Sequence, residues 1–360
     1  MDPTIWYVFN LVHMGSNDAP DVSIVISVYR RGSYLRHAIN SALAQTHQNI
    51  EVIVAEDGGS DCAADIVSTY RDPRLSLVRC PRNLGEAGNR VNAYRNARGK
   101  YYVNLDDDDA LRPTFVEMLI EPLDRDPGLI IAFCDHSVMR EDGLIDAAKS
   151  DACTKACGRD HLLQGPHDPL NDIGPATGTI PMNVGAMFRA DLIWPRGSTG
   201  ESALPEDAGA ADDLYLTYLV CVSGKSAYYV PQRLSNFRVH ATQLTLRRDP
   251  ATSRALRFCY RRFLKDPRLR AWHAQVKSQL EKSTLCLGAE LLRAGDRANA
   301  RQCYAESLVS GIHWRAFAGY ALTLLPVSCA QRTLEVYRGV RSGPQCDEDH
   351  QAVPVTLPRM

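Results

Sequence analysis

The sequence lacks several features that would assign it at once to a protein class. No apolar run approaches the roughly 18 residues of a transmembrane helix, so we expect any membrane contact to be peripheral. Residues 5–14 are apolar but have no basic segment before them and no clear cleavage site, which argues against a secretory signal. The 11 cysteines are odd in number and irregularly spaced, so no disulfide framework is visible. We therefore expect reduced thiols and a cytoplasmic location, with peripheral binding to the inner membrane face left open.

Two common nucleotide-binding motifs are also missing. No GxGxxG follows the first predicted strand, which argues against a dinucleotide site, and no GxxxxGK[ST] indicates a P-loop. The net charge of −1 hides an asymmetry. Residues 1–246 carry 22 Lys and Arg against 32 Asp and Glu, whereas residues 247–341 carry 18 against 7. This split suggests two parts with different roles, and the basic part could face an anionic membrane, an anionic acceptor or the acidic part of the chain.

The length of 360 residues exceeds that of one average domain and predicts two. Residues 272–325 show helical apolar stripes like a single tetratricopeptide-type hairpin, without a second copy at the expected period. The predicted organisation is an N-terminal extension over 1–20, an α/β domain over 21–245 with halves 21–110 and 111–245, a basic helical domain over 246–341 and a flexible tail over 342–360.

Strands and helices are predicted to alternate through the first hundred residues. Segments rich in β-branched residues predict strands, and segments with an apolar stripe or helix-stop signals predict the helices between them. The predicted strands are 21–29, 50–55, 75–78, 101–105 and 129–134, followed by a buried segment over 184–188 and a strand over 226–230 that leads to Pro231. Short connections between such elements predict an α/β fold, a Rossmann-like, mostly parallel sheet flanked by helices, plus a small C-terminal α-helical region.

Polar residues follow the carboxyl ends of three predicted strands. Tyr29 ends the first, Asp57 follows the second, and Asp106–Asp109 follow the fourth. Ligands of parallel α/β sheets bind at this edge. Four carboxylates in a row can be a solvated surface turn. Their position after a buried strand instead favours a site for Mg²⁺ or Mn²⁺, which prefer oxygen ligands and leave room for phosphates.

The order of motifs resembles the family 2 glycosyltransferases of GT-A fold over about residues 21–245. The motifs are Val22–Tyr29, Glu56–Asp61, Asn83–Arg90, Leu105–Asp109, Asp212–Asp213 and Arg238–His240. The resemblance implies an inverting, metal-dependent enzyme that moves a sugar from a nucleotide-sugar, most often a UDP-sugar, to a hydroxyl acceptor. The acceptor class, whether saccharide, glycolipid or peptide, stays open because the family's fold serves all of them.

The resemblance also implies roles for individual residues. Tyr29, Asp57, Arg90, Asp106 and Asp107 would bind the nucleotide. The residues implied as metal ligands are Asp106, Asp108, Asp109 and His240.

Asp213 matches the base that takes the proton of the acceptor hydroxyl. The pair Asp212–Asp213 departs from the more common Glu–Asp, and Asp207, six residues upstream, is the rival base.

Other interpretations stay open at the level of sequence. The residues Cys153, Cys157, His161 and His167 could bind zinc, although their spacing differs from common zinc motifs. A sugar-nucleotide nucleotidyltransferase would need a Gly-rich basic loop after the first strand, where residues 28–32 are a poor substitute. A non-catalytic nucleotide-sugar-binding scaffold is the third alternative. We expect no nucleic-acid partner and leave homo-oligomerisation open.

Overall fold

The structure, a computed structural model, contains two compact units. It describes residues 19–29, 32–59, 63–175, 177–195, 200–243, 249–310 and 314–326. The first unit ends at His240 and the second begins at Ala241. The predicted N-terminal extension up to residue 18 and the predicted tail over 342–360 lie outside the described residues.

The first unit combines one sheet with flanking helices. Its strands are β1 Val22–Val28, β2 Ile50–Glu56, β3 Leu75–Arg79, β4 Tyr101–Asp106, β5 Ala110–Leu111, β6 Leu129–Arg140, β7 Ile145–Asp146, β8 Gly165–His167, β9 Ala186–Arg189 and β10 Ser226–Val239. Its helices are α1 Gly32–Leu43, α2 Ala63–Ser68, α3 Gly85–Asn96, α4 Phe115–Arg125, α5 Ala147–Ala156 and α6 Asp212–Val222.

The strands form a mixed sheet in the order β3-β2-β1-β4-β9-β6-β10-β5, with β7 beside β6 and β8 beside β10. Neighbours among β3, β2, β1 and β4 are parallel, as are β6 and β10. The short strand β9 joins the two parallel groups by antiparallel pairing with β4 and β6. The prediction of a mostly parallel α/β sheet with flanking helices is therefore confirmed.

The central strands are rich in β-branched and aromatic residues and are buried on both faces, which suits a sheet covered by helices on each side. Residues of β1, β2 and β4 are almost all buried, and they share one core with α1 and α4. In register, Val28 pairs with Glu56 and Ser27 with Asp106. The carboxyl ends of β1, β2 and β4 are thus level, and the residues that follow them lie at one edge.

Strand β10 is longer than the sequence predicted. The predicted strand stops before Pro231, because proline cannot donate a hydrogen bond to a neighbouring strand. In the structure the pairing with β6 shifts between Val230 and Arg233, so Pro231 lies in an irregularity and the strand then resumes as far as Val239. The extension matters because it carries Arg238 to the edge of the sheet.

The second unit is helical. Its helices are α7 Pro250–Leu264, α8 His273–Arg293, α9 Arg297–Ser310 and α10 Trp314–Leu322. Leu287, Leu291 and Tyr304 share a buried cluster that joins α8 to α9, as the apolar stripes predicted. Helix α7 was not predicted. In the described part of the chain, every helix is too short or too polar to cross a membrane.

Candidate active site

Three of the four consecutive carboxylates converge. Asp106 ends β4, and the N–H of Asp109 donates to the carbonyl oxygen of Asp106 at 3.1 Å, which closes a turn. Oxygens of Asp106, Asp108 and Asp109 lie within 4.8 Å of one another, and this is the only such group of potential metal ligands among the described residues. Asp107 is buried and is not a member of that group.

The end of β10 fastens this turn. The backbone N–H of Arg238 donates to Oδ1 of Asp109 at 2.7 Å, and its Nε donates to the carbonyl oxygen of Asp108 at 2.8 Å. His240 Nε2 lies 2.9 Å from Oδ2 of Asp108. His240 thus contacts a member of the carboxylate group and is not itself in it, so its predicted role as a metal ligand stays a prediction.

Burial and the neighbouring carboxylates destabilise the charged form of Asp109 in this turn. Burial raises the pKa of Asp109 well above its ordinary value, and the charges of Asp108 and Asp106 raise it further, while the N–H of Arg238 lowers it. Like charges held together in this way are stabilised by a bound cation. The donor set of carboxylate oxygens suits a hard divalent cation.

A second cluster surrounds Arg90 of α3, whose side chain is 1% exposed. Its Nη2 donates to Oδ1 of Asp106 at 2.7 Å. Its Nε forms an ion pair with Oδ2 of Asp212 at 2.5 Å, without the angular geometry of a hydrogen bond. Burial lowers the pKa of Arg90, but Asp212 and Asp106 outweigh it and raise the pKa overall, so the guanidinium stays charged. Arg90 therefore ties α3 to both the end of β4 and the start of α6.

The two acidic residues at the start of α6 differ in surroundings. Asp212 is buried, and burial raises its pKa to about 6 although Arg90 lowers it. Asp213 is exposed to water, yet enough protein surrounds its carboxyl group to raise its pKa. Its Oδ1 accepts a hydrogen bond from the N–H of Leu214 at 2.6 Å.

Asp207, the rival base, lies in the 3₁₀ helix Glu206–Ala211 and is exposed. Asp213 interacts electrostatically with Arg90 and Asp106, which connects it to the carboxylate turn. No such interaction of Asp207 is found among the described residues.

The predicted nucleotide-binding residues also lie at this edge. Tyr29 follows β1 and is 39% exposed. Asp57 follows β2, and its carboxylate accepts the N–H of Leu84 at 2.6 Å and of Gly85 at 3.0 Å, which fixes the start of α3. Burial raises the pKa of Asp57 and these two N–H groups lower it. Contacts of Tyr29, Asp57, Arg90 and Asp107 with a nucleotide stay predictions.

Glu86 is a member of the Arg90 cluster that the sequence interpretation missed. Burial raises its pKa well above the ordinary value, and the charges of Asp212 and Asp106 add to this. It lies four residues before Arg90 in α3, and this spacing places two side chains on the same face of a helix. This spacing of four residues was the feature of the sequence that could have linked Glu86 to Arg90.

The candidate zinc ligands do not come together. His161 pairs with Asp160, and His167 contacts the carbonyl oxygen of Leu163. Cys153 instead contacts His136, a residue of β6. The four residues Cys153, Cys157, His161 and His167 therefore do not form one ligand set.

Comparisons with known proteins agree with this architecture. A sequence model of the family described as Glycosyl transferase family 2 matches residues 23–194. The succinoglycan biosynthesis protein ExoO of Rhizobium meliloti (strain 1021) is 36% identical over 124 residues, covering 34% of this chain and 35% of that protein. The uncharacterized glycosyltransferase RP339 of Rickettsia prowazekii (strain Madrid E) is 37% identical over 123 residues, covering 34% and 38%. The chain thus spans little more than a third of the length of these curated relatives.

Solved structures with a similar fold cover most of the chain. Residues 1–349 of S. aureus TarS in complex with UDP-GlcNAc superpose with a TM-score of 0.57 at 15% identity, covering 89% of this chain and 92% of that one. The mannosyltransferase PcManGT from Pyrobaculum calidifontis, in complex with GDP-Man and Mn²⁺, gives 0.51 at 18% identity, covering 94% and 90%. At these identities the likeness shows the fold, which is that of GT-A glycosyltransferases. Residues 23–194 are therefore similar to glycosyl transferase family 2, and the fold of the chain is similar to that of the GT-A glycosyltransferases.

Proposed function

We propose that the protein is an inverting, metal-dependent glycosyltransferase that moves a sugar from a nucleotide-sugar, with a UDP-sugar as the favoured donor, to a hydroxyl acceptor. The observation that carries this proposal is the arrangement at the sheet edge, where Arg90 links the carboxylate turn at Asp106 to the acidic start of α6 at Asp212. This arrangement connects a candidate cation site to a candidate base in one unit.

The residues present fit a divalent cation. Asp106, Asp108 and Asp109 would hold Mn²⁺ or Mg²⁺ through carboxylate oxygens, and their mutual repulsion is a reason for them to do so. A bound ion of this kind neutralises charge on a diphosphate leaving group. Arg238 and His240 hold the backbone and side chain of the turn from the end of β10.

The chain's own residues then supply orientation and proton transfer. Asp213 takes the proton from the acceptor hydroxyl as its oxygen attacks the anomeric carbon and the bond to the nucleotide diphosphate breaks. A single displacement of this kind inverts the anomeric centre, and one exposed carboxylate is enough for it. Arg90 keeps Asp106 and Asp212 in place.

The proposed choice of nucleotide rests on the likeness to solved structures. TarS is known in complex with UDP-GlcNAc, and the mannosyltransferase in complex with GDP-Man. Tyr29 and Asp57, at the ends of β1 and β2, are the residues proposed to bind the base and ribose. The acceptor is proposed only as a hydroxyl of a saccharide, glycolipid or peptide.

The first test is calorimetric titration of UDP, GDP and dTDP with and without Mn²⁺. We expect Mn²⁺-dependent binding of UDP to the wild type and to Asp65→Ala, which removes an exposed charge from α2, and at least tenfold weaker binding to Asp108→Ala. Preference for GDP or dTDP would keep the enzyme class and change the donor. Absence of metal-dependent binding to every diphosphate would overturn the proposal.

The second test compares two candidate bases. Asp213→Asn should bind the nucleotide diphosphate within about twofold of wild type and lose at least about 100-fold in turnover of the nucleotide-sugar, a loss typical of a removed general base. Asp207→Asn, with the same change of charge, should retain turnover. The reverse result would assign the base to Asp207.

A further inference from the structure

A second cluster of reactive groups lies between β6 and α5, outside the candidate active site. Cys153 and Cys157 are 4% and 2% exposed, and His136 and Arg159 are equally buried. His136 Nε2 lies 3.2 Å from the sulfur of Cys153, and Arg159 Nη2 lies 3.4 Å from His136 Nδ1. The cluster thus combines two thiols with an imidazole and a guanidinium.

The direction of these hydrogen bonds follows from their chemistry. Arg159 can only donate, so Nδ1 of His136 accepts and the proton of the neutral ring is on Nε2. Burial and the charge of Arg159 lower the pKa of His136 to about 3, which agrees with a neutral ring. Nε2–H therefore donates to the sulfur of Cys153.

The side chains of Cys153 and Cys157 lie in one buried cluster. Cys153 and Cys157 form a side-chain hydrogen bond. The N–H of Cys157 donates to the carbonyl oxygen of Cys153 at 3.0 Å, so the two residues are one helical turn apart. Helix geometry then places their Cα atoms about 6 Å apart, within the range that a disulfide spans, but their Cβ atoms about 5–6 Å apart, so closing the bond must shift the end of α5.

The environment favours the thiolate of Cys157. The hydrogen bond from Cys153 and the nearby Arg159 together lower the pKa of Cys157 to about 7, against burial and the charge of Asp135, which raise it. Cys134 and Cys221 show the contrast, since burial raises the pKa of each thiol to about 12. The thiolate is the nucleophilic form of cysteine.

We propose that Cys153 and Cys157 form an oxidisable dithiol that a hydroperoxide closes to a disulfide. The thiolate of Cys157 attacks a peroxide oxygen, an S–O bond forms, the O–O bond breaks, and the released oxygen leaves as water after taking a proton. Cys153 then attacks the sulfur of Cys157, the S–O bond breaks, and the leaving hydroxide takes the proton of Cys153. The two thiols lose two electrons in total, and one H₂O₂ becomes two waters. Hydrogen peroxide is about the size of water, and the outer face of α5, including Asp151 and Lys155, is exposed.

Closure of this bond would change the packing at the edge of the sheet that carries the candidate active site. Cys153, Cys157 and Val138 form a small apolar cluster against which Val239 packs. Val239 lies between Arg238 and His240, which hold Asp109 and Asp108. A shift of α5 therefore reaches the carboxylate turn through one packed side chain. Oxidation of the two thiols does not depend on the proposed glycosyl transfer.

The test is mass spectrometry of the full chain after titration with H₂O₂. Trypsin cleaves after Lys149, Lys155 and Arg159, so the disulfide would join the peptides 150–155 and 156–159. We expect this linked pair at lower peroxide than is needed to oxidise the exposed Cys286, and its reversal by dithiothreitol. Hydrogen exchange should then become at least about tenfold faster at residues 237–240 in the oxidised wild type, and stay constant in β1 and β2.

Each result decides one part of the proposal. Absence of the linked pair at peroxide that fully oxidises Cys286 would overturn the dithiol. A linked pair without altered exchange at residues 237–240 would overturn the coupling through Val239. The variant Cys153→Ser should show no response at residues 237–240, with Cys157 trapped as a sulfenic acid by dimedone. If that variant does not fold, the wild type is reduced with dithiothreitol instead. Hydrogen exchange at residues 237–240 should then return to its original rate, and a rate that stays fast would overturn the coupling to the disulfide.

Discussion

Nε2 of His240 lies 2.9 Å from Oδ2 of Asp108, which joins the end of β10 to the turn after β4. This contact orients one of the three converging carboxylates. We expect His240→Gln to weaken Mn²⁺ binding by about 10- to 100-fold, the usual effect of losing a group that supports a metal ligand. Titration with Mn²⁺ measures this, with His167→Gln as the matched control. Equal affinities of His240→Gln and His167→Gln for Mn²⁺ would contradict a role for His240 at the cation site.

Arg238 should be a structural residue of the same turn. Its guanidinium contacts the carbonyl oxygens of Asp108, Arg140 and Glu141 and the ring of His37, so lysine cannot replace the planar group. We expect Arg238→Lys to lower the free energy of unfolding by about 2–4 kcal/mol, from at least two lost charge-assisted hydrogen bonds. Urea denaturation measures this. Arg125→Lys, at an exposed position of α4, should change stability by less than about 0.5 kcal/mol.

The buried ion pair of Arg90 and Asp212 should show strong energetic coupling. Arg90→Met leaves the buried carboxylate of Asp212 unpaired, which typically costs about 3–5 kcal/mol. In the double variant, Asp212→Asn removes the carboxylate charge that Arg90→Met alone leaves unpaired. The double variant should therefore be destabilised by less than the sum of the two single variants. A double-mutant cycle in urea measures the difference. Additive effects would show that the two side chains do not stabilise each other.

Glu86 should make stability depend on pH. Burial raises its pKa in the folded state, so the folded state binds the proton more tightly than the unfolded state does. This contribution is present below the ordinary glutamate pKa of about 4.3 and is lost as the pH rises toward the raised value. We therefore expect Glu86→Gln to gain stability relative to the wild type across that window, by at most about 1.4 kcal/mol per unit of raised pKa.

The measurement for Glu86 is urea denaturation of the metal-free protein between pH 4 and pH 7. Glu121→Gln, at an exposed position of α4, is the control and should follow the wild-type curve. Parallel curves for Glu86→Gln and the wild type would show that Glu86 titrates as it does in the unfolded chain.

The helical unit contains a close contact that tests its packing. A Cβ atom at Gly319 would lie 2.3 Å from Cε1 of Tyr304, whereas one at Gly288 would lie 3.0 Å from the same ring. We expect Gly319→Ala to destabilise this unit by about 1–3 kcal/mol, as overpacking does, and Gly288→Ala to cost less. Thermal unfolding of the two variants compares them. An equal or larger loss for Gly288→Ala would show that the ring of Tyr304 moves away from α10 more easily than it moves away from α8.

The strands around the site were predictable because local pattern and global position agree there. Val22–Val28 is dense in β-branched apolar residues, a pattern typical of a buried parallel strand. Level carboxyl ends then follow from the fold class, which is why Asp57 and Asp106 could be placed at one edge.

The missed features depend on tertiary neighbours. Pro231 is a strand terminator by its own chemistry, and only the pairing irregularity in β10 accommodates it. Glu86 has a raised pKa because the fold buries it and brings the charges of Asp212 and Asp106, distant in sequence, close enough to act on it. Cys153 meets His136 rather than His161 for the same reason, since β6 and α5 pack together.

The boundary between the two units falls directly after His240. A protein truncated there would end in a free α-carboxylate attached to the residue that contacts Asp108. That terminus would add one more negative charge beside a turn that already holds four carboxyl groups. The last residues of a chain are also poorly ordered, so the imidazole of His240 would be held less firmly against Asp108. The boundary that separates the units most cleanly is thus a poor place to cut, and an isolated first unit should be expressed with several residues beyond Ala241.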